Sequence, residues 1–88
     1  MATVTIKADL SADPDKVVIK AGDTVTWEGD IDYAIHLPAP YTNPTIGQNG
    51  SKWTGSSKPF PAQAQKYSVH YTVTRGGQSH DPEIEVQP

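Results

Sequence analysis

The chain has 88 residues, 35% of them hydrophobic and 19% charged, with 7 Lys and Arg against 10 Asp and Glu and a net charge of −3. A chain this short folds as one domain around one core and buries only roughly 60% of its unfolded surface; with no cysteine it has neither a disulfide staple nor a thiolate ligand. The lack of a basic stripe argues against nucleic acid as a partner, and no apolar run approaches the roughly 20 residues of a membrane-spanning helix.

Met1-Ala2-Thr3-Val4 enters a strand-like segment at once, without the basic end and apolar run of a signal peptide. Val4 and Ile6 alternate with Thr3, Thr5 and Lys7, which predicts a first strand. Residues 8–15, with Ser11, Asp13, Pro14 and Asp15 crowded together, are turn chemistry. Val17-Val18-Ile19 is uniformly apolar and reads as a strand covered on both sides. Ala21-Gly22-Asp23 is a tight turn in which Gly22 takes a positive φ, and beyond it Val25 and Trp27 face one way while Thr24, Thr26 and Glu28 face the other.

After Gly29-Asp30, the residues Ile31, Tyr33, Ile35 and Leu37 share one parity and Asp32, Ala34 and His36 the opposite one. Periodicity then collapses over residues 38–62, which hold five prolines. This stretch is expected to be loop, with at most one short turn of helix. Loops this long are functional or are packed by their own side chains, and Tyr41, Ile46, Trp53 and Phe60 are suited to that packing. Alternation returns in Tyr67, Val69, Tyr71 and Val73, a hairpin turn is predicted at Arg75-Gly76-Gly77-Gln78, and Ile84 and Val86 form a closing strand. Residues 1–88 are therefore predicted to form a single all-β domain, a two-layer antiparallel β-sandwich of six or seven short strands.

The order of these pieces resembles a cupredoxin, the small β-sandwich of the blue-copper proteins. The likeness is carried by Val17-Val18-Ile19-Lys20-Ala21-Gly22-Asp23-Thr24-Val25-Thr26-Trp27, then His36, then Phe60, residues 67–73 and residues 84–86, and it spans nearly the whole chain. Its strongest part, the Ala21 to Trp27 stretch, also occurs in immunoglobulin-like domains as a Gly-Asp turn between hydrophobic strands. In the family a ligand histidine follows this half, and a cysteine, a second histidine and usually a methionine come near the C-terminus. His36 matches the first; Thr72 or Val73 stands where the cysteine would be, the second histidine position falls near Arg75-Gly76, and His80 lies about where the methionine would be. The resemblance thus implies a cupredoxin-like Greek key without blue copper, since that site needs a thiolate. It also implies a periplasmic or extracellular protein from which a signal peptide has been removed, with a cytoplasmic protein as the other reading.

Under that topology His36 and His80 approach each other at one end of the sandwich, with Asp81 or Asp32 able to add an oxygen. Neutral imidazoles suit Cu(II), Zn or Ni, so colourless copper or another divalent metal is the cofactor this pair implies. Three protein ligands are the usual minimum, and the competing reading is two positions kept for packing or hydrogen bonding. His70 lies on the polar face of its strand, out of reach of the other two.

Tyr41 and Trp53, flanked by Asn43, Gln48, Asn49, Ser51 and Lys52, are candidate ligand-binding residues, because aromatic planes with amide neighbours stack on sugars or grip a protein partner. Their competing role is a small core that pins the loop. Asp30 with Asp32 and Glu83 with Glu85 read as solvated pairs protecting strand faces, not as acid/base or calcium chemistry. No nucleophile motif or phosphate-cradling loop is present. The chain is accordingly expected to be no enzyme but a monomeric binding or structural module whose partner is a protein or a small ligand.

Overall fold

Alternation builds most of the molecule. The computed structural model describes residues 2–88, in which the strands are β1 (Ala2–Ile6), β2 (Ala12–Asp13), β3 (Lys16–Lys20), β4 (Val25–Gly29), β5 (Ala34–His36), β6 (Gly47–Asn49), β7 (Lys52–Ser56), β8 (Tyr67–His70), β9 (Thr72–Arg75), β10 (Gln78–His80) and β11 (Glu83–Gln87). No helix occurs among the described residues. The protein is an all-β sandwich.

One layer is a five-stranded sheet in the order β2-β1-β4-β7-β6. The other is built on one long hairpin. Arg75 faces Gln78 in the β9–β10 ladder, His70 faces Glu83 in the β8–β11 ladder, and no residue is inserted between the two. The Tyr71 N–H bridges them by donating to the Pro82 carbonyl at 3.1 Å; Pro82 has no N–H to return, so the ladder breaks there while the register carries on. β3 flanks the lower half of this arm along β11, and β5 flanks its outer half along β9. At the tip Gly76 turns with φ 61°, a left-handed conformation suited to a two-residue hairpin loop.

Away from its tip, the inward positions of the arm are apolar. Val69, Tyr71 and Val73 on one strand and Pro82, Ile84 and Val86 on the other are buried, each large aliphatic side chain contributing about 1.5 to 3 kcal/mol by leaving water. From the opposite layer Trp27 meets Tyr71 edge-on, with ring centroids 5.2 Å apart. Burial pushes the Tyr71 phenol up to about 12, and the Trp27 indole beside it works weakly the other way. Tyr67, expected in the core, is half-buried at the arm's base.

Three features depart from the sequence reading. First, β1 pairs with β4 and β3 with β11 in parallel, whereas antiparallel pairing was expected throughout. The chain leaves β1, crosses to β3 in the other layer and turns back at Gly22 (φ 91°), so β4 re-enters the first sheet running as β1 ran, as a crossover requires. Second, Val18 is 52% exposed; β3 is an edge strand whose outer face meets solvent, so Val17 and Ile19 are covered and Val18 is not. Third, residues 38–62 contain two strands, β6 and β7, and no helix. β6 is exposed along its whole length, which leaves it no apolar signature. β7 carries Gly55 opposite Trp27, where a Cβ would sit 2.5 Å from the Thr45 carbonyl oxygen, so glycine lets Thr45 and Ile46 cross over the sheet.

Candidate binding site at the Tyr41 groove

The segment after β7 is tied to the start of β4 by main-chain bonds. The Ser57 N–H donates to the Val25 carbonyl at 2.8 Å, the Val25 N–H donates to the buried Ser57 hydroxyl at 2.9 Å, the Phe60 N–H donates to the Asp23 carbonyl at 3.1 Å, and the Gly22 N–H donates to the Phe60 carbonyl at 2.8 Å. Phe60 is thereby sunk into the core, 2% exposed, between Pro59 and Pro61. The segment after β5 is fixed more locally: the Tyr41 N–H donates to the Pro38 carbonyl at 3.0 Å, and the Asn43 side-chain oxygen accepts from the Leu37 N–H at 2.7 Å. These two segments bring Tyr41 against Phe60, with ring centroids 5.4 Å apart and planes tilted by 50°.

Between them lies a groove of about 200 Å³, walled by Leu37, Pro40, Tyr41, Lys58, Phe60 and Pro61, with Thr42 and Pro59 completing the rim. Tyr67 backs it. Its hydroxyl donates to the Pro61 carbonyl at 2.6 Å, and burial, with the neighbouring Tyr41 phenol acting in the same direction, pushes the Tyr67 phenol up to about 12. Tyr41 is thus held by its main-chain N–H and by the contact of its ring with Phe60.

Trp53, the other aromatic singled out in the sequence, is elsewhere. It faces Gly29 at the far end of β4, packs half-buried against the core, and its carbonyl accepts from the Tyr33 hydroxyl at 3.0 Å. Tyr41 and Trp53 are therefore not two walls of one site. Lys58 was not singled out by sequence reasoning, although its place before the Pro59-Phe60-Pro61 run marks the return of the loop.

The histidines are placed by register. His36 faces Thr72 across β5 and β9, while His80 faces Val73 across β10 and β9. Directly paired residues point to the same side of a sheet and successive residues to opposite sides. His36 is therefore on the outer face with Thr72, and His80 shares the parity of Val73, two strands away. His80 lies close enough to the β1–β2 turn for its charge to help hold Asp9 below the usual carboxylate range, behind the stronger hydrogen bonds from Ser11. Asp81 is engaged by the Thr72 hydroxyl at 3.0 Å. The histidine that shares the outer face with His36 is His70, whose Nε2 lies 4.0 Å from Glu83. No group of three or more His, Cys, Asp or Glu suited to a metal ion occurs among the described residues.

The acidic pairs separate onto different partners. Asp30 takes Lys52 and Asp32 takes Arg75 at 2.9 Å, while Lys16 lies 3.1 Å from Glu85 and 3.9 Å from Glu83. The Lys16 hydrogen bond is the main cause that holds Glu85 below the usual range. The Asp30 and Asp32 pairs are exposed and contribute little to stability, while Glu83 and Glu85 are partly covered beside Lys16. No helix of the described residues is long and apolar enough to cross a membrane.

No family model matches the chain. No curated protein matches it. Among solved structures it is similar to a cysteine protease inhibitor from Entamoeba histolytica, at 13% identity and a TM-score of 0.49 over 99% of this chain and 95% of that one. It is also similar to part of an endo-fucoidan hydrolase of glycoside hydrolase family 107, at 17% identity and a TM-score of 0.44 over 82% of this chain, and to a domain of titin, at 12% identity and a TM-score of 0.39 over 96% of this chain and 88% of that one. The chain spans only 12% of the length of the hydrolase. These likenesses concern the fold, and no residue or activity passes through them to this chain.

Proposed function

We propose that this protein is a non-enzymatic binding module on a cupredoxin-like sandwich without a blue-copper site, exported in its native setting, and that its recognition surface is the groove at Tyr41. The cupredoxin-like part of this reading rests on the Val17 to Trp27 segment and the position of His36. The recognition surface rests on one observation: a concave, aromatic and proline-lined groove whose central ring packs against Phe60. Open apolar concavities with a few polar groups at the rim are the usual form of a ligand site, and a ring that is already immobilised loses little freedom when it binds.

Benzyl alcohol is a suitable neutral probe. Titrated into isotopically labelled protein, it is expected to shift the amide resonances of Leu37, Tyr41, Thr42 and Phe60 in a saturable way, and Tyr41→Ala should abolish those shifts while leaving the rest of the spectrum dispersed. Shifts scattered over the surface, or none, would overturn the assignment of the recognition surface.

A further inference from the structure

The groove has a chemical bias beyond its shape. A volume of about 200 Å³ is small: an apolar cavity of roughly 150 Å³ admits a benzene ring, and sites for larger organic ligands run from about 300 Å³ upward. One ring with one small substituent is therefore what it holds. Its lining brings together the rings of Tyr41, Pro40 and Pro61, with Phe60 buried beneath them, which suit a flat apolar body.

The substituent is set by charge. From Tyr33 to Ser51 the chain carries no Asp, Glu, Lys or Arg, so the Tyr41 side of the groove presents no formal charge. The opposite wall carries Lys58. The ion pairs of the described residues engage Lys16, Lys52, Arg75 and His70 and leave Lys58 without a partner. Asp23, whose carbonyl holds Phe60, turns its carboxylate to the Lys20 N–H at 3.2 Å. An ammonium at the edge of an apolar slot reaches over it on its own alkyl stem and is placed to meet an anion carried by whatever fills the slot.

We propose that the groove takes a small aromatic carboxylate, its ring against Tyr41 and Pro61 and its carboxylate on Lys58. This inference rests on the Tyr41 groove being the recognition surface, and the two are separable by experiment. Phenylacetate and benzyl alcohol offer the same ring with and without the negative charge. In amide-shift titrations of the wild-type chain at low salt, phenylacetate is expected to bind about threefold to fivefold more tightly than benzyl alcohol, the upper part of the range of an exposed charge pair. Lys58→Gln should erase that difference and Lys58→Arg should keep it. Raising the salt to a level where the screening length falls to roughly 3 Å should also shrink it. Equal affinity of the two probes, or an advantage of phenylacetate that survives Lys58→Gln, overturns the carboxylate assignment and leaves the groove as a neutral site. Absence of saturable shifts with either probe overturns the groove itself.

Discussion

The hairpin arm from Tyr67 to Gln87 and the segment from Leu37 to Pro61 are similar in length and contribute similar numbers of large side chains, yet they are held by different means. The arm keeps one register through both of its ladders and buries alternate residues at Val69, Tyr71 and Val73 and at Pro82, Ile84 and Val86, so each of these side chains shares its fixation with the strand that carries it. Outside the β6–β7 hairpin, the other segment is held by separate plugs: Ile46 over Gly55, Tyr41 on Phe60, and Asn43 on the Leu37 N–H. A repeated pattern spreads its stability over many positions, while a set of plugs concentrates it in a few. The groove lies among the plugs, where the backbone is free to depart from a sheet.

Substitution should expose that contrast most strongly at its two tyrosines. Tyr71 is fully buried between Trp27 and the arm, so Tyr71→Ala is expected to lose about 3 to 5 kcal/mol, the range for deleting a buried aromatic. That is a large share of the roughly 5 to 15 kcal/mol that a small domain has in total. Tyr41 is half-buried, and Tyr41→Ala should lose about 1 to 2 kcal/mol while the fold persists. Urea unfolding midpoints would check both; equal losses at the two sites would remove the distinction between arm and plug.

Within the looser segment, the glycines separate a packed crossing from an open one. A Cβ on Gly55 meets the Thr45 carbonyl and Ile46, whereas one on Gly47 meets nothing within 4 Å. Gly55→Ala should therefore lose about 1 to 3 kcal/mol through overpacking, and Gly47→Ala should stay within about 0.5 kcal/mol of the parent. Thermal melts of the two variants side by side are enough to read the difference.

These sites also show what a sequence can disclose. The arm was legible because Tyr67, Val69, Tyr71 and Val73 alternate, and alternation is the direct imprint of a sheet with one dry face. His36 facing outward followed from the same parity. β6 was not legible because a strand exposed on both faces leaves no hydrophobic period, and β7 was not because Gly55 within it answers to a crossing segment ten residues earlier. The parallel pairings were hidden for a related reason: strand direction is set by connections between layers, which local pattern does not encode. At the groove, the sequence supplied Tyr41 but joined it to Trp53, since closeness along the chain says little about which end of a strand a side chain reaches.

Alkaline titration should soften both regions together. Tyr71 at the arm's hinge and Tyr67 behind the groove are each pushed up to about 12, with burial as the first cause, and burial also raises Tyr33 above the ordinary value of 10.0. A phenol whose pKa is higher folded than unfolded binds its proton longer in the native state. Its contribution is therefore fully present below pH 10 and is lost as the pH climbs from about 10 through 12. The melting temperature is expected to hold steady up to pH 9 and to fall beyond 10, with phenolate absorbance rising as the chain unfolds. A melting temperature that stays flat to pH 12 would contradict the burial assigned to these hydroxyls.

The smallest expected effect concerns metal. His36 and His80 flank β9 from its two neighbouring strands, but their parities put them on opposite faces of the sheet, and imidazoles must converge to within about 2.0 to 2.1 Å of one ion to hold it. His70 shares the face of His36 yet is directed at Glu83. A ligand that binds only the native state raises the melting temperature by mass action, so titration with Cu(II) or Zn(II) is expected to leave it unchanged within error at micromolar metal and neutral pH, and no intense charge-transfer colour should develop without a thiolate. A saturable rise that is lost in both His36→Ala and His80→Ala would mean that the outer half of the arm rearranges to bring these rings together. A rise lost in His36→Ala and His70→Ala instead would place the ion on the outer face.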